Sequence, residues 1–328
     1  MKTKIFIILL TLICFGTGGF FVYKNLEVSN NQAKIEISSE ESEFKFDWKM
    51  DSGERVADGG IPFVYKLTDG KYRLYYCGEG GILSAISSDG LNFKQEEGVR
   101  ISPDSDFGKP ESTVCDATIV SLPDGGIRMY YKGATSPGDP GEAIHNIFSA
   151  VSDDGLNFKK EGLRIDSTKT NDNGWASVPE AIKLSDGRVR IYYVSGDSEA
   201  EGGIMSAISE DGLNFQKEAG VRVKGGYTDP AITILPNGKF LLLVTYNCKP
   251  EKGWCDPKFI NGIYSLVSDN GLNFSNLELV MEANLGYFFL DPAIIEIEKN
   301  VYRVYFGVLN SSGPEEHMII KSMTGYLK

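Results

Sequence analysis

Ser87-Ser88-Asp89-Gly90-Leu91-Asn92-Phe93 returns three more times along this chain, as SDDGLNF from Ser152, SEDGLNF from Ser209 and SDNGLNF from Ser268. The third position of the phrase recurs after 65, 57 and 59 residues. A single supersecondary unit is therefore repeated, and the chain has to be read as repeats before anything else. Around each phrase lies the same grammar, clearest in the third unit. Val178 to Leu184 is a short apolar run, Asp186-Gly187 a two-residue turn, and Arg188 to Val194 alternates charged with apolar or aromatic residues. A glycine-containing loop, the run Ile204 to Ser209, the phrase itself and a last run from Asn214 to Val223 complete it. Asp-Gly and Asn-Gly between β-rich runs mark hairpins, because a type I′ turn needs positive φ at both central residues. Such turns fall at Asp69-Gly70, Asp124-Gly125, Asp186-Gly187 and Asn237-Gly238, with a weaker one at Lys299-Asn300.

Four antiparallel strands per unit is the arithmetic of a β-propeller blade. Five first strands are expected, beginning near Ile61, Asp116, Val178, Asp229 and Asp291, so the fold class is an all-β, five-bladed β-propeller. The last unit ends before its fourth strand, while Glu43 to Trp48 reads as an outer strand without a blade. The economical solution is that this N-terminal segment completes blade five and closes the ring, leaving no open sheet edge between first and last blades. Residues 43–328 then form one domain, preceded by a 24–42 stalk rich in polar residues and a 1–23 helix acting as signal anchor or signal peptide.

That first segment carries Lys2 and Lys4 ahead of an uncharged run from Ile5 to Tyr23, long enough to cross a bilayer once. The lysines predict a cytoplasmic N-terminus with the remainder exported, either membrane-anchored by the helix or secreted. No small-residue cleavage signal follows the run, which favours the uncleaved anchor. Export permits disulfides. Cys248 and Cys255 bracket one loop, whereas Cys77 and Cys115 fall on the same rim of adjacent blades, and both pairs are expected to bond. A net charge of −12 disfavours nucleic acid and anionic membrane surfaces as partners, leaving the N-terminal helix as the one membrane contact. The chain is expected to be monomeric.

Aligning the blades on their hairpin turns sets Asp116, Asp229 and Asp291 at one inner-strand position. Blade three has Val178 there with Glu180 two residues on, and blade one has Ile61 with Asp58 three residues earlier. Up to five carboxylates are thereby directed at one axis. Carboxylates gathered in a cleft suit glycoside hydrolysis, in which one is protonated to donate to the leaving oxygen while another stays ionised as base or nucleophile. Asp residues at strand starts also cap their own turns, so a purely structural role stands beside the chemical one. Trp175, Tyr227 and Tyr287 precede inner strands and Trp254 sits in a rim loop, offering ring faces against which sugar C–H groups pack. The repeated phrase is structural: its Asp-Gly turns the chain between strands three and four, and Phe93, Phe158, Phe215 and Phe274 pack between blades. His145 and His317, at the starts of third strands, are the two histidines, and no His/Cys cluster has zinc spacing. The reading requires no cofactor and no catalytic metal, and it is neutral on a structural calcium.

The inner-strand Asp-Pro pairs, the tyrosine-rich second strands YRLYY and VRIYY, and the S-x-D-G-x-x-F strand ends resemble the five-bladed β-propeller glycosidases, the superfamily of glycoside hydrolase families 43, 32, 62, 68 and 130. The resemblance spans nearly all of the chain after the stalk. It implies a nucleophile or base at Asp58, an orienting and pKa-tuning group at Asp116 and an acid at Glu180, while Asp229, Asp291, Trp175, Tyr227 and Tyr287, placed by the blade alignment, are expected to hold a neutral glycan. Asp58 stands upstream of the register held by Ile61, and Glu180 follows Pro179 where the family-43 pattern has its Glu two residues before the proline. The phrase is also similar to the sialidase Asp-box, except that here Asp and Gly are adjacent. A non-catalytic propeller that binds carbohydrate or protein by the same rim is the alternative from another functional class.

Overall fold

The computed structural model describes residues 45–328, except 105, 107, 136–142, 248–259, 285 and 311–316, and the backbone alone of residue 317. The expected N-terminal helix and stalk, the Cys248–Cys255 pair and Trp254 lie outside the described residues.

Among the described residues, twenty strands and no helices make five four-stranded antiparallel sheets. The first strand, β1 (Phe46–Met50), stands apart in sequence from its sheet. Blade one comprises β2 (Gly60–Lys66), β3 (Tyr72–Gly78), β4 (Gly81–Ser87) and β5 (Lys94–Gln95). Blade two follows with β6 (Thr113–Ser121), β7 (Ile127–Ala134), β8 (His145–Ser152) and β9 (Lys159–Ile165). Blade three is β10 (Ala176–Lys183), β11 (Val189–Ser195), β12 (Ile204–Ser209) and β13 (Gln216–Lys217). Blade four is β14 (Tyr227–Ile234), β15 (Phe240–Tyr246), β16 (Gly262–Ser268) and β17 (Ser275–Glu282). Blade five is β18 (Tyr287–Glu298), β19 (Val301–Asn310) and β20 (His317–Leu327), with β1 paired antiparallel on β20 from Phe46–Leu327 to Met50–Met323. Inner strands β2, β6, β10, β14 and β18 neighbour one another around the ring. The expected five-bladed propeller closed by an N-terminal strand is the fold observed.

The phrase that betrayed the repeat is half of a latch. Asp89 Oδ1 accepts the backbone N–H groups of Leu91 and Asn92 and the Ser87 hydroxyl, and its other oxygen accepts the Asn92 amide, which knots the turn after β4. The same knot forms at Asp154, Asp211 and Asn270. Each knotted turn is gripped by the second strand of the preceding blade. Tyr75, Tyr130, Tyr192 and Tyr305 donate their hydroxyls to the carbonyls of Gly155, Gly212, Gly271 and Gly90 at 2.7–2.9 Å. Arg73, Arg128, Arg190 and Arg303, two residues earlier, donate to the carbonyl just before each of those glycines. Phe158, Phe215, Phe274 and Phe93 meet the same four tyrosine rings edge to face at 5.5–6.0 Å. Glycine is required in the turn twice over, since φ is near +70° and a Cβ would lie within 2.8 Å of the tyrosine hydroxyl.

Blade five shows why an N-terminal strand had to be recruited. In blades one to three the gripping arginine is held by a glutamate from the fourth-strand side, Glu96, Glu161 or Glu218, each at 2.8 Å. In blade five that acid is Asp51, directly after β1, 3.3 Å from Arg303 and accepting the Ser322 hydroxyl. A second arginine reaches over each of the same seams from a Gly-x-Arg turn: Arg100 to Leu156, Arg164 to Leu213, Arg222 to Leu272, and Arg55 to Leu91. The N-terminal segment thus brings blade five its fourth strand, its acid and its second arginine together. At the seam between blades four and five the described residues form no knotted turn to hold, and β15 correspondingly carries Leu241 and Leu243 where the other second strands have Arg and Tyr. Leu241 packs there with Phe46, Trp48 and Tyr302, an apolar seal in place of the latch. Trp48 lies over Gly325, its cross-strand partner, so closely that a Cβ on Gly325 would come within 2.3 Å of the indole.

Two outcomes are expected from equilibrium denaturation. Tyr130→Phe orphans the Gly212 carbonyl and lowers stability by about 1–2 kcal/mol. Gly325→Ala displaces the indole of Trp48, and the loss should exceed that of Tyr130→Phe because the closing strand is lifted as well.

Candidate functional site at the propeller axis

The five inner strands share one irregularity. Ile61, Asp116, Val178, Asp229 and Asp291 have φ of 57°, 56°, 51°, 56° and 46°, and in every blade the pairing with strand two skips two residues at that point. The hub residue therefore lies on a bulge inside its strand rather than at the strand's start as the sequence suggests. A bulge re-aims a side chain and breaks the ladder locally. Here it lines a cavity of about 20 Å³ with Ile61, Asp116, Val178, Glu180, Asp291 and the prolines at 62, 179, 230 and 292.

Asp116, Asp229, Asp291 and Glu180 are all buried. Lys132, from β7, places Nζ 2.9 Å from Asp116 Oδ2. Burial opposes the Lys132 charge, yet Asp116, then Asp291 and Asp229, hold its pKa above the ordinary lysine value. Asp229 Oδ2 accepts the Thr245 hydroxyl at 2.6 Å and the Asp291 backbone N–H at 3.3 Å. Desolvation raises the Asp229 pKa, and it raises that of Asp291 further, with the charges of Asp229 and Asp116 adding to the effect and Lys132 opposing it. Glu180 Oε1 accepts the Ile232 N–H of the neighbouring inner strand at 3.3 Å, and desolvation pushes its pKa up to about 8 in spite of that bond and one from Thr118. The hub thus combines the Lys132–Asp116 ion pair with Glu180, which keeps its proton at neutral pH, and with Asp229 and Asp291, whose pKa values are raised, the division of roles on which acid–base chemistry depends.

Above the cavity, on the face where the inner strands begin, His145 stacks on Trp175 at 3.7 Å and its Nδ1 lies 3.2 Å from the Ser177 hydroxyl. Burial, reinforced by the Lys132 charge, lowers the His145 pKa to about 4, so the imidazole is neutral at physiological pH. Trp175 keeps 36% of its surface exposed, giving the mouth one open aromatic face. The loop bearing Trp175 is pinned from below, where Lys217 Nζ meets Asp172 at 2.6 Å, Asp197 at 2.9 Å and the Thr170 carbonyl at 3.0 Å. A disulfide joins Cys77 to Cys115, and the Asp116 N–H points at Cys77 Sγ at 3.3 Å, tying blades one and two beside the hub.

The expected site residues are only partly gathered. Asp116, Glu180 and Asp291 line the cavity, Asp229 is bonded just behind it, and Trp175 flanks the mouth. Asp58 is exposed in the segment ahead of β2, and at the axis blade one offers Ile61. Tyr227 is buried among Tyr246 and Tyr264. Tyr287 opens into a separate groove with Met50, Met281, Phe289 and Val308 at the seam of blades four and five. Lys132, His145 and Thr245 are residues the sequence reading did not join to the hub. The signal for Lys132 was present: in the aligned second strands it stands where Cys77, Val194, Thr245 and Gly307 stand in the other blades.

No protein-family model and no curated protein sequence matches this chain. Among solved structures it is similar to a thermostable family-43 glycoside hydrolase, with TM-score 0.63 and 14% identity over 83% of this chain and 91% of that one. It is similar also to an α-L-arabinofuranosidase from Lactobacillus brevis, at TM-score 0.64 and 14% identity over 81% and 91% of the two chains. A family 117 glycoside hydrolase from the marine bacterium Zobellia galactanivorans gives TM-score 0.63 and 16% identity over 86% and 90%. At these identities the likeness establishes the fold they have in common, the five-bladed propeller of these glycosidases.

Glu180 links the hub to stability. From pH 4.5, its ordinary value, up to about 8 the folded chain holds a proton that the unfolded chain has released. The stabilisation is full below that window and is lost as pH rises through it, by at most about 1.4 kcal/mol per pH unit. Urea midpoints of wild type should fall between pH 5 and 9, and the difference from Glu180→Gln should narrow or reverse on the alkaline side. A pH-independent difference between the two would contradict a buried, protonated Glu180.

Proposed function

We propose that the axial mouth is a carbohydrate site of glycosidase type, acting on the glycosidic bonds of a neutral glycan. The observation that carries this reading is Glu180, buried and protonated at neutral pH, in the wall of the same cavity as Asp116 and Asp291. Glu180 is the proton donor to the leaving oxygen. Asp116, oriented by Lys132, stabilises positive charge developing on the sugar, and Asp58, solvent-exposed on the same face, activates water or attacks the anomeric carbon. The neutral imidazole of His145 and the open face of Trp175 suit hydroxyl and C–H contacts with a sugar ring. The glycosidases with the same propeller support the substrate class.

Capture of a glycan without hydrolysis is the second reading. It is favoured by Ile61 and Val178 at the hub positions of blades one and three, and by a cavity that admits one hydroxyl group and not a sugar ring. For location we propose export. The Cys77–Cys115 disulfide supports an oxidising compartment, and the chain joins the propeller near the Lys299-Asn300 turn, on the face opposite the mouth, which suits an N-terminal tether.

A panel of aryl glycosides and microbial or plant oligosaccharides, assayed with wild type, Glu180→Gln, Asp116→Asn and Asp58→Asn, tests the assignment. Hydrolysis by wild type that falls by about 10²-fold or more in the Glu180 variant is the expected result. Equal turnover by all four proteins removes the site, and glycan binding with no turnover by wild type establishes the second reading.

A further inference from the structure

Each hub residue is preceded by a residue that pairs with a fixed position of strand two: Cys77, Lys132, Val194, Thr245 and Gly307 in blades one to five. The chemistry of that partner follows the chemistry of the hub. Asp116 is served by the ammonium of Lys132 and Asp229 by the hydroxyl of Thr245, whereas the aliphatic Val178 faces a blade with Val194. Blade five breaks the rule. Its hub residue is an acid, yet the partner position is Gly307, which has no side chain to donate.

The consequence is visible at Asp291, which is 8% exposed and whose Oδ1 makes no hydrogen bond among the described residues. A buried polar oxygen without a partner is costly, and native structures rarely leave one so without a reason. Asp291 also lines the axial cavity, whose volume of about 20 Å³ is enough for a single oxygen-sized group. Of the other side chains lining the cavity, Ile61 and Val178 cannot hydrogen-bond, Asp116 is paired with Lys132, and Glu180 accepts the Ile232 N–H, which leaves Asp291 with the unclaimed oxygen. Gly307 is not demanded by backbone geometry or by crowding. Its φ lies outside the left-handed range, and a Cβ there would meet nothing nearer than 3.5 Å, from the Ile61 nitrogen and from Leu290.

We propose that Asp291 is the ligand anchor of the hub: its free carboxyl oxygen is reserved for one hydroxyl of the bound molecule, and glycine at position 307 keeps that oxygen unclaimed. This rests on the carbohydrate reading of the mouth and specifies it, since the group admitted is a single neutral hydroxyl in a cavity of about 20 Å³. It also makes Asp291 a binding residue and separates it from Asp229, whose oxygen is already used within the fold.

Gly307→Ser tests this by supplying the donor that blade four obtains from Thr245. The variant should melt at a higher temperature than wild type and bind the best neutral oligosaccharide of the panel at least about tenfold more weakly. Asp291→Ala should lose binding to the same degree without gaining stability. Unchanged affinity in both variants overturns the anchor. If wild type binds no glycan, the carbohydrate reading fails separately, and the anchor is decided with glycerol as the probe in saturation-transfer NMR. A signal from wild type that is lost in Gly307→Ser supports the reserved oxygen, whereas equal signals, or none from either protein, contradict it.

Discussion

The rest of the structure depends on a backbone constraint: five inner strands must each adopt a left-handed bulge at the same height. The φ values at Ile61, Asp116, Val178, Asp229 and Asp291 agree within about eleven degrees although the side chains do not. For Ile61 and Val178 that conformation is strained, of order 1–3 kcal/mol each, and β-branched residues rarely tolerate it unless the surroundings over-determine it. The ring imposes the bulge and the residue placed on it is free to vary, so three blades carry acids and two carry aliphatics on one geometry. Burying those acids adds desolvation to the strain. The pKa values of Asp229, Asp291 and Glu180 rise in response, and Asp116 pairs with Lys132.

Such a hub is tolerable only in a ring that does not open. The Arg-x-Tyr pair of one blade holding the knotted turn of the next gives four seams the same pair of bonds. The remaining seam uses Leu241, Phe46 and Trp48, the arrangement expected where neither half of the latch exists. The two halves are absent together, which indicates that arginine and tyrosine serve the turn and not the blade in which they lie. The closing strand matters for the same reason: by contributing Asp51 and Arg55 it gives the last blade the acid and the second arginine that every other latched blade has.

Much of this was legible in the residues. The repeated phrase, the Asp-Gly turns and the orphan segment around Trp48 led to five blades and N-terminal closure, because each is local chemistry with a fixed period. Gly53-Glu54-Arg55 was a further copy of a seam motif that the sequence alone displays, and it would have marked the closing strand more sharply than its apolar alternation. The hub was read less well. Alignment on turns found Asp116, Asp229 and Asp291, but alternation cannot register a two-residue bulge, so the residues seemed to sit at strand starts. Spacing along the chain drew Asp58 toward the axis, but it lies exposed in the bend ahead of β2. Tyr227 looked like an exposed ring because it precedes an inner strand, yet Tyr246 and Tyr264 cover it. Partners that come from strand two, such as Lys132 and Thr245, are set by sheet register, which single-strand patterns do not carry.

Buried carboxyl groups with raised pKa values surround a single ion pair at the hub, and carboxyl ¹³C chemical shifts followed from pH 3 to 10 in the folded protein test this most directly. The shift assigned to Glu180 should move with a midpoint near 8, that of Asp291 well above the ordinary aspartate value of 3.8, and that of Asp89 below it. If all aspartate and glutamate carboxyls instead titrated between about 3 and 5 while the protein remained folded, the hub would be open to water and the acid proposed for catalysis would not exist.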